Sequence, residues 1–362
     1  MKGMQAVKRV LHIVGAMAPG GFENFIMNIY RKMDRTQVQF DFIVHKKKDN
    51  SYDEEIENLG GKLFYVTRKS KNPVKNFFEI KSVIKEYDYS IVCRHSDSAF
   101  TVVDLLAAKL GGAKKIIMHS HSTTTGNVKI HNFFRKWMSF VPTHRFACSK
   151  AAGKWMFGDL DYTFVPNAID TCEYLYHDDI RESMRKEWNV EAKNVYGHVG
   201  NFVYAKNHLF LLDVFKEITV KDENAILFLI GEGELREEIE HKIQELQLQN
   251  KVILTGRRKD VVRFLQMFDL FLFPSVYEGL PVSMVEAQCS GLPCLISSSI
   301  TDEIMLTDCV KQMDLNEDIS AWAKTAMDML QKGKQTERYS RDKEIIKAGY
   351  GIEELVSFYE GI

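Results

Sequence analysis

Two carboxylates, Glu278 and Glu286, stand seven residues apart in a stretch whose punctuation suits ligand chemistry. The apolar run 270–273 predicts a buried strand that stops at Pro274. Glu278 and Gly279 fall in the loop beyond it, Pro281 stands where a helix begins, and Gly291-Leu292-Pro293 closes that helix. Strand, loop and helix in this order bring backbone N–H groups and a positive helix end to the carboxyl edge of a sheet. That edge suits a phosphate or a sugar hydroxyl, and two acids on separate elements can reach different parts of one ligand. An ordinary strand–helix turn with two solvated acids fits the same spacing.

Three further groups could join such a site. Lys206 sits in a loop, 201–208, that opens a helix, where an ammonium can neutralise a diphosphate or simply serve solubility. Gly20 and Gly21 end a loop between a strand at 10–14 and a helix at 22–33, which is either an anion-friendly arrangement or a tight turn. A strand at 115–118 delivers His119-Ser120-His121-Ser122 to a sheet edge. In an extended chain the two imidazoles are expected to point to opposite sides, leaving one for a ligand. A surface turn with two solvated rings is the other reading.

These groups need a scaffold. Strand-like runs at 10–14, 40–44, 63–66, 90–93, 115–118 and 145–148 alternate with helix-like segments, which predicts a parallel, doubly wound sheet. A second α/β unit begins at 196–200. It continues through a strand at 225–230 into the Gly231 loop, a strand at 252–254, a basic loop carrying Arg258 and Val261, and a last strand at 294–296. The fold class is therefore α/β with two doubly wound, Rossmann-like domains. The boundaries expected are 1–170 for the first domain, 171–194 for a charged crossing, 195–337 for the second domain and 338–362 for a helical tail.

Composition narrows the partners. A chain of 362 residues is long enough for two cores, and a formal net charge of -1 provides no global field for nucleic acid. Six scattered cysteines, without a C-x-x-C pair or a histidine cluster at zinc spacing, read as reduced, buried thiols of a cytoplasmic protein. The run 10–18 after Lys8-Arg9 imitates a signal peptide, but His12, Gly15 and the glycine pair make a first strand the better reading. Residues 129–140 combine apolar and basic side chains, suited either to a membrane surface or to packing with the bases extended outward.

The segment from Glu278 to Glu286 resembles the E-x7-E signature of family 4 retaining glycosyltransferases, which have the GT-B fold. Gly20-Gly21-Phe22-Glu23 is similar to that family's G-G-x-E loop, 148–152 to a motif of its capsular and exopolysaccharide branch, and 165–170 to its V-P-N-G-I-D segment, with Ala168 for glycine. The resemblance implies transfer of a sugar from a nucleotide diphosphate, with UDP as the nucleotide, to a hydroxyl of a glycan or polyprenyl-linked acceptor in a cleft between domains. It implies that Glu286 holds the ribose and that Glu278, with Gly279, Leu280 and Val282, holds the donor sugar. Lys206 would stabilise the leaving diphosphate, helped by Asn201 where the family has arginine. Gly20, Gly21, Gly231, Arg258 and Val261 complete the donor contacts, and His121, with His119 in reserve, lies near the reacting sugar. No metal or cofactor is implied beyond the donor, in keeping with the lack of a D-x-D motif beside the donor segment. The tail is expected to return to the first domain. A non-catalytic nucleotide-sugar-binding subunit and a nucleotide-sugar epimerase of the same fold are the alternatives.

Overall fold

Short apolar runs separated by amphipathic segments form alternating strands and helices in the computed structural model, which describes residues 7–48, 51–123 and 125–361. Asp49, expected in a turn with residues 46–48, lies outside the described residues. The chain divides into two units, one of residues up to 168 with those from 352 onward, the other of residues 169–351.

In the first unit, β1 (Lys8–Ile13), β2 (Val38–Val44), β3 (Leu63–Tyr65), β4 (Ile91–Ser96), β5 (Lys115–Ser120), β6 (His144–Ala147) and β7 (Thr163–Phe164) form a parallel sheet in the order β3-β2-β1-β4-β5-β6-β7. The order reverses between β1 and β4, and the carboxyl edge at such a switch point is where ligands bind. The helices between strands are α1 (Gly21–Lys32), α2 (Asp53–Asn58), α3 (Pro73–Glu86), α4 (Val102–Gly111), α5 (Val128–Arg135) and α6 (Lys150–Phe157). Alternate strand residues feed two cores. Val10, Phe40, Cys93 and Ile117 pack with Phe25 and Ile26 of α1, while Leu11, Val92 and Met118 pack with residues of α3, α4 and α6. Burial on both faces is why these strands read as apolar runs.

The second unit repeats the plan. Its strands β8 (Asn194–Val199), β9 (Ala225–Ile230), β10 (Val252–Gly256), β11 (Leu270–Phe273), β12 (Cys294–Ser297) and β13 (Val310–Met313) run in the order β10-β9-β8-β11-β12-β13, all parallel. Its helices are α7 (Asp178–Glu187), α8 (His208–Lys221), α9 (Arg236–Glu245), α10 (Val261–Met267), α11 (Val282–Cys289), α12 (Ile319–Gln335) and α13 (Asp342–Lys347). The last helix, α14 (Ile352–Gly361), belongs to the first unit, where Ile352, Leu355 and Tyr359 join the α1-side core.

Two expected boundaries change. Residues 171–194 are an integral part of the second unit: Arg181 and Arg185 of α7 both pair with Asp269, at the start of β11, and donate to the Met267 carbonyl. A helix anchored by guanidinium groups carries few apolar residues, so its sequence reads as a linker. The return to the first unit starts at 352 rather than 338, because Arg338 donates to the carbonyls of Leu265 and Ser290, both at 2.8 Å. Against the expected burial of all six cysteines, Cys172 is exposed and Cys309 partly so.

Candidate functional site

Strand β11 carries four buried apolar residues to Pro274, after which the chain turns over the sheet edge. Val276 N–H donates to the Ala205 carbonyl at 2.8 Å, fastening this turn to the loop after β8. Glu278 is thereby brought to Lys206, with Nζ and Oε1 2.8 Å apart and each side chain 15% exposed. The same ammonium lies 4.4 Å from the Phe273 ring centroid, so a carboxylate and a π face share it. Leu280 is buried between Gly279 and Pro281, and α11 then begins at Val282 with no side chain capping its first turn. Its first N–H groups are left to solvent or to an anionic ligand.

One turn further along α11, Glu286 accepts a hydrogen bond from the Tyr174 hydroxyl at 2.8 Å. Burial pushes the Glu286 carboxyl up to about 7, against the opposing pull of that hydrogen bond. An acid so placed stands between its charge states at neutral pH. Tyr174 ends a short 3-10 turn, Thr171–Tyr174, inside the stretch that reads as a linker, and sequence reasoning missed it.

Around this pair the loops after β8, β9 and β10 are laced together. Gly231 N–H donates to the Gly256 carbonyl at 3.1 Å and Phe202 N–H to the Glu232 carbonyl at 3.0 Å. A Cβ at Gly231, where φ is +152°, would lie 1.9 Å from the Gly200 carbonyl oxygen, and one at Gly233 would lie 2.3 Å from that of Phe202. Glycine is required at both positions for the backbones to approach. Asn201 is exposed at the rim of this loop. Arg258 is engaged by Asp260 through bonds of 2.8 and 2.7 Å, and Val261 opens α10 beside it.

The first unit carries its own candidates. Gly20 precedes α1 in an extended conformation, Gly21 is the helix's first residue, and no side chain caps this N-terminus either. Burial pushes Glu23, in the first turn, up to about 7. His119 and His121 do not point to opposite sides. Residues i and i+2 of a strand share a face, and their rings lie 4.0 Å apart. Both nitrogens of His121 are occupied, Nδ1 by Asn167 Oδ1 at 3.2 Å and Nε2 by His95 at 2.9 Å. His12, His95 and Asn167 were not singled out by sequence reasoning. The regular alternation of β1 and β4 offered the signal, since His12 and His95 are in phase with the buried Val10 and Cys93.

Two family profiles match, "Glycosyltransferase Family 4" at residues 19–173 and "Glycosyl transferases group 1" at residues 179–343. A relative named as a glycosyltransferase, EpsF of Bacillus subtilis (strain 168), is 35% identical over 364 residues, spanning 96% of this chain and 94% of its own. The chain belongs to the family 4 glycosyltransferases. This glycosyltransferase is also similar to the capsular polysaccharide biosynthesis glycosyltransferase CapH of Staphylococcus aureus, at 23% identity over 97% of this chain and 98% of CapH. Among solved structures, Anabaena Alr3699/HepE in complex with UDP superposes with a TM-score of 0.79 at 15% identity, covering 98% of this chain and all of that one. The two parallel-sheet units are those of the GT-B fold.

Proposed function

We propose that this glycosyltransferase moves a hexosyl group from a UDP-sugar to a hydroxyl of a glycan or polyprenyl-linked oligosaccharide, with retention, in cell-surface polysaccharide synthesis. The observation that carries the reading is the Lys206–Glu278 pair set before the uncapped start of α11, with Glu286 one turn along. A diphosphate arriving there takes the Lys206 ammonium and the free α11 amides, which meet the charge that grows on the leaving group. Glu278, released from the lysine, then accepts from hydroxyls of the sugar, and Glu286 accepts from the ribose. The reading needs no metal, since the lysine and the helix end supply the positive potential. Anabaena Alr3699/HepE has been solved with UDP-glucose, and a 26% identical Escherichia coli relative, matched over 62% of each chain, is named for UDP-Gal and a diphosphoundecaprenol-linked acceptor. Both names support a UDP-sugar donor, and the second supports a lipid-linked acceptor.

A lipid-linked acceptor requires the enzyme to reach a membrane surface. No helix among the described residues is long and apolar enough to cross one. Residues 105–158, however, hold nine lysines and arginines and no acid, although the whole chain is nearly neutral. Within that stretch α5 and the turn after it bury His131 and Met138 and expose Phe133 (60%), Phe140 (58%), Ile130 and Trp137. Apolar side chains between bases suit peripheral docking at the anionic cytoplasmic face. The test of function is a calorimetric titration with UDP and then UDP-sugars, on wild type and Glu286→Ala. Micromolar UDP binding that the variant loses supports the reading. Absence of UDP binding by a folded wild type would sink the UDP assignment.

A further inference from the structure

Strand register gathers four histidines on one face of the first sheet. His12 lies on β1, His95 on β4 and His119 on β5, with His95 paired to His119 across the ladder, and all three are at most 1% exposed. His121 follows one residue past β5 and stacks under Phe22 of α1, ring centroids 5.3 Å apart. Three of these imidazoles bond to one another: His12 Nδ1 lies 2.9 Å from His95 Nε2, and His95 Nδ1 lies 2.9 Å from His121 Nε2.

The end of the row sets the direction of every proton. Asn167 Oδ1 can only accept, so His121 carries its proton on Nδ1 and donates it there at 3.2 Å. His121 Nε2 must then accept from His95 Nδ1–H, and His95 Nε2 must accept from His12 Nδ1–H. His12 Nε2 is left as a buried lone pair without a partner. His119 stands beside the row with the opposite tautomer, donating from Nε2 to the Val165 carbonyl at 3.2 Å. Both histidines past the middle of β5 thus grip the segment that contains Asn167. A second proton has no place in the row, because an added N–H would face either an existing N–H or the apolar surroundings. Burial pushes His12 and His121 down to about 3 and holds His95 well below the usual imidazole range. Every N–H in a neutral row points the same way, and each donated bond strengthens the next. The row ends by fixing the oxygen of Asn167. The amide Nδ2–H2 on the other side has no hydrogen-bond partner among the described residues.

We propose that Asn167 is a substrate-binding residue whose amide N–H donates to an oxygen of the transferred sugar or of the acceptor, and that His12, His95 and His121 are positioning residues that orient it. The role rests on the glycosyl-transfer reading, whereas the tautomer pattern does not. His121, with both nitrogens engaged, passes the expected sugar contact to Asn167.

The test combines two-bond 1H–15N correlation spectra of the full chain labelled with 15N-histidine and kinetics of His95→Phe, Asn167→Ala, the double variant and His12→Gln. The expected spectra assign the Nδ1–H tautomer to His12, His95 and His121 and the Nε2–H tautomer to His119. His95→Phe and Asn167→Ala should each lower kcat about tenfold to a hundredfold, without multiplying in the double variant. UDP affinity should stay within about twofold, since none of the four histidines nor Asn167 is among the expected UDP contacts, and His12→Gln, whose amide can still donate to His95, should retain most activity. A rise in KM for the donor alone assigns the Asn167 contact to the transferred sugar, and a rise for the acceptor alone assigns it to the acceptor. An Nε2–H tautomer at His121, full multiplication of the two effects, or an unchanged kcat in Asn167→Ala would overturn the proposal. Failure of wild type to bind UDP would defeat the donor reading instead, and the tautomers would still decide whether the row exists.

Discussion

Glu278→Gln should bind UDP more tightly than wild type while transferring sugar more slowly. In the free protein the Lys206 ammonium is already bonded to Glu278, and both side chains are 15% exposed. At 2.8 Å the bare attraction is about 6 kcal/mol for an effective dielectric of about 20. Desolvation offsets most of it, and a close, largely buried ion pair of this kind contributes a net ~1.5–3 kcal/mol. A diphosphate that takes the lysine must give up that amount. Glutamine replaces the charged partner with a neutral acceptor worth about 1 kcal/mol, so the cost falls by about 0.5–2 kcal/mol. UDP affinity should then rise roughly two- to thirtyfold. Lys206→Ala should do the reverse and weaken UDP binding by at least about tenfold. Titration calorimetry with UDP, beside thermal melts that confirm folding, reads both. UDP affinity that is unchanged or weaker in folded Glu278→Gln would refute the reasoning, because the carboxylate could not then be competing with the diphosphate for Lys206.

UDP affinity should rise as pH goes from about 6 to 8, the range in which Glu286 loses its proton, and Tyr174→Phe, by removing a bond that favours the carboxylate, should move that rise to higher pH. Because the folded-state pKa of Glu286 lies above its unfolded value, its contribution to stability is fully present below about 4.5 and is lost as pH rises through about 7. Glu286→Gln should therefore melt about 2–4 °C above wild type at pH 8 and no higher at pH 4. Gly231→Ala must move the Gly200 carbonyl or abandon its φ of +152°, and should lose about 2–4 kcal/mol of stability in urea titrations together with UDP binding. The protein should pellet with phosphatidylglycerol-containing vesicles far more than with phosphatidylcholine alone, less so at high salt, and Phe133→Ser with Phe140→Ser should reduce pelleting at least about fivefold without altering UDP binding.

What the chain reveals before folding is what neighbours in sequence decide. Pro274, Gly279, Pro281 and Gly291 punctuate one short segment, so the strand, turn and helix that carry Glu278 and Glu286 could be delimited residue by residue. The commitment of Arg258 to Asp260, two residues away, is equally local and could have been anticipated. Tyr174 could not, because its hydroxyl meets a carboxylate 112 residues later, and no periodicity marks the turn that holds it. The histidine row depends on β1 and β4 becoming neighbours although β2 and β3 lie between them in sequence. That adjacency is a property of the sheet order, and no spacing within a single segment encodes it. The charged α7 misleads for a related reason, since its anchoring uses guanidinium groups aimed at carbonyls, and composition counts those as solvent-facing.

The second unit is a single uninterrupted length of chain, 169–351, inserted before the final helix of the first. During synthesis it can therefore finish folding while the first unit still lacks Ile352, Leu355 and Tyr359. Those side chains close the core that contains Val10, Phe40 and Cys93, and the Tyr359 ring lies 6.3 Å from that of His12. Strand β1 thus waits for α14, with an apolar face open in the interval. A variant truncated after residue 351 would keep the whole length of its second unit yet leave that face of the first sheet without Ile352, Leu355 and Tyr359, so the helix at 352–361 completes a core whose strands lie some three hundred residues earlier.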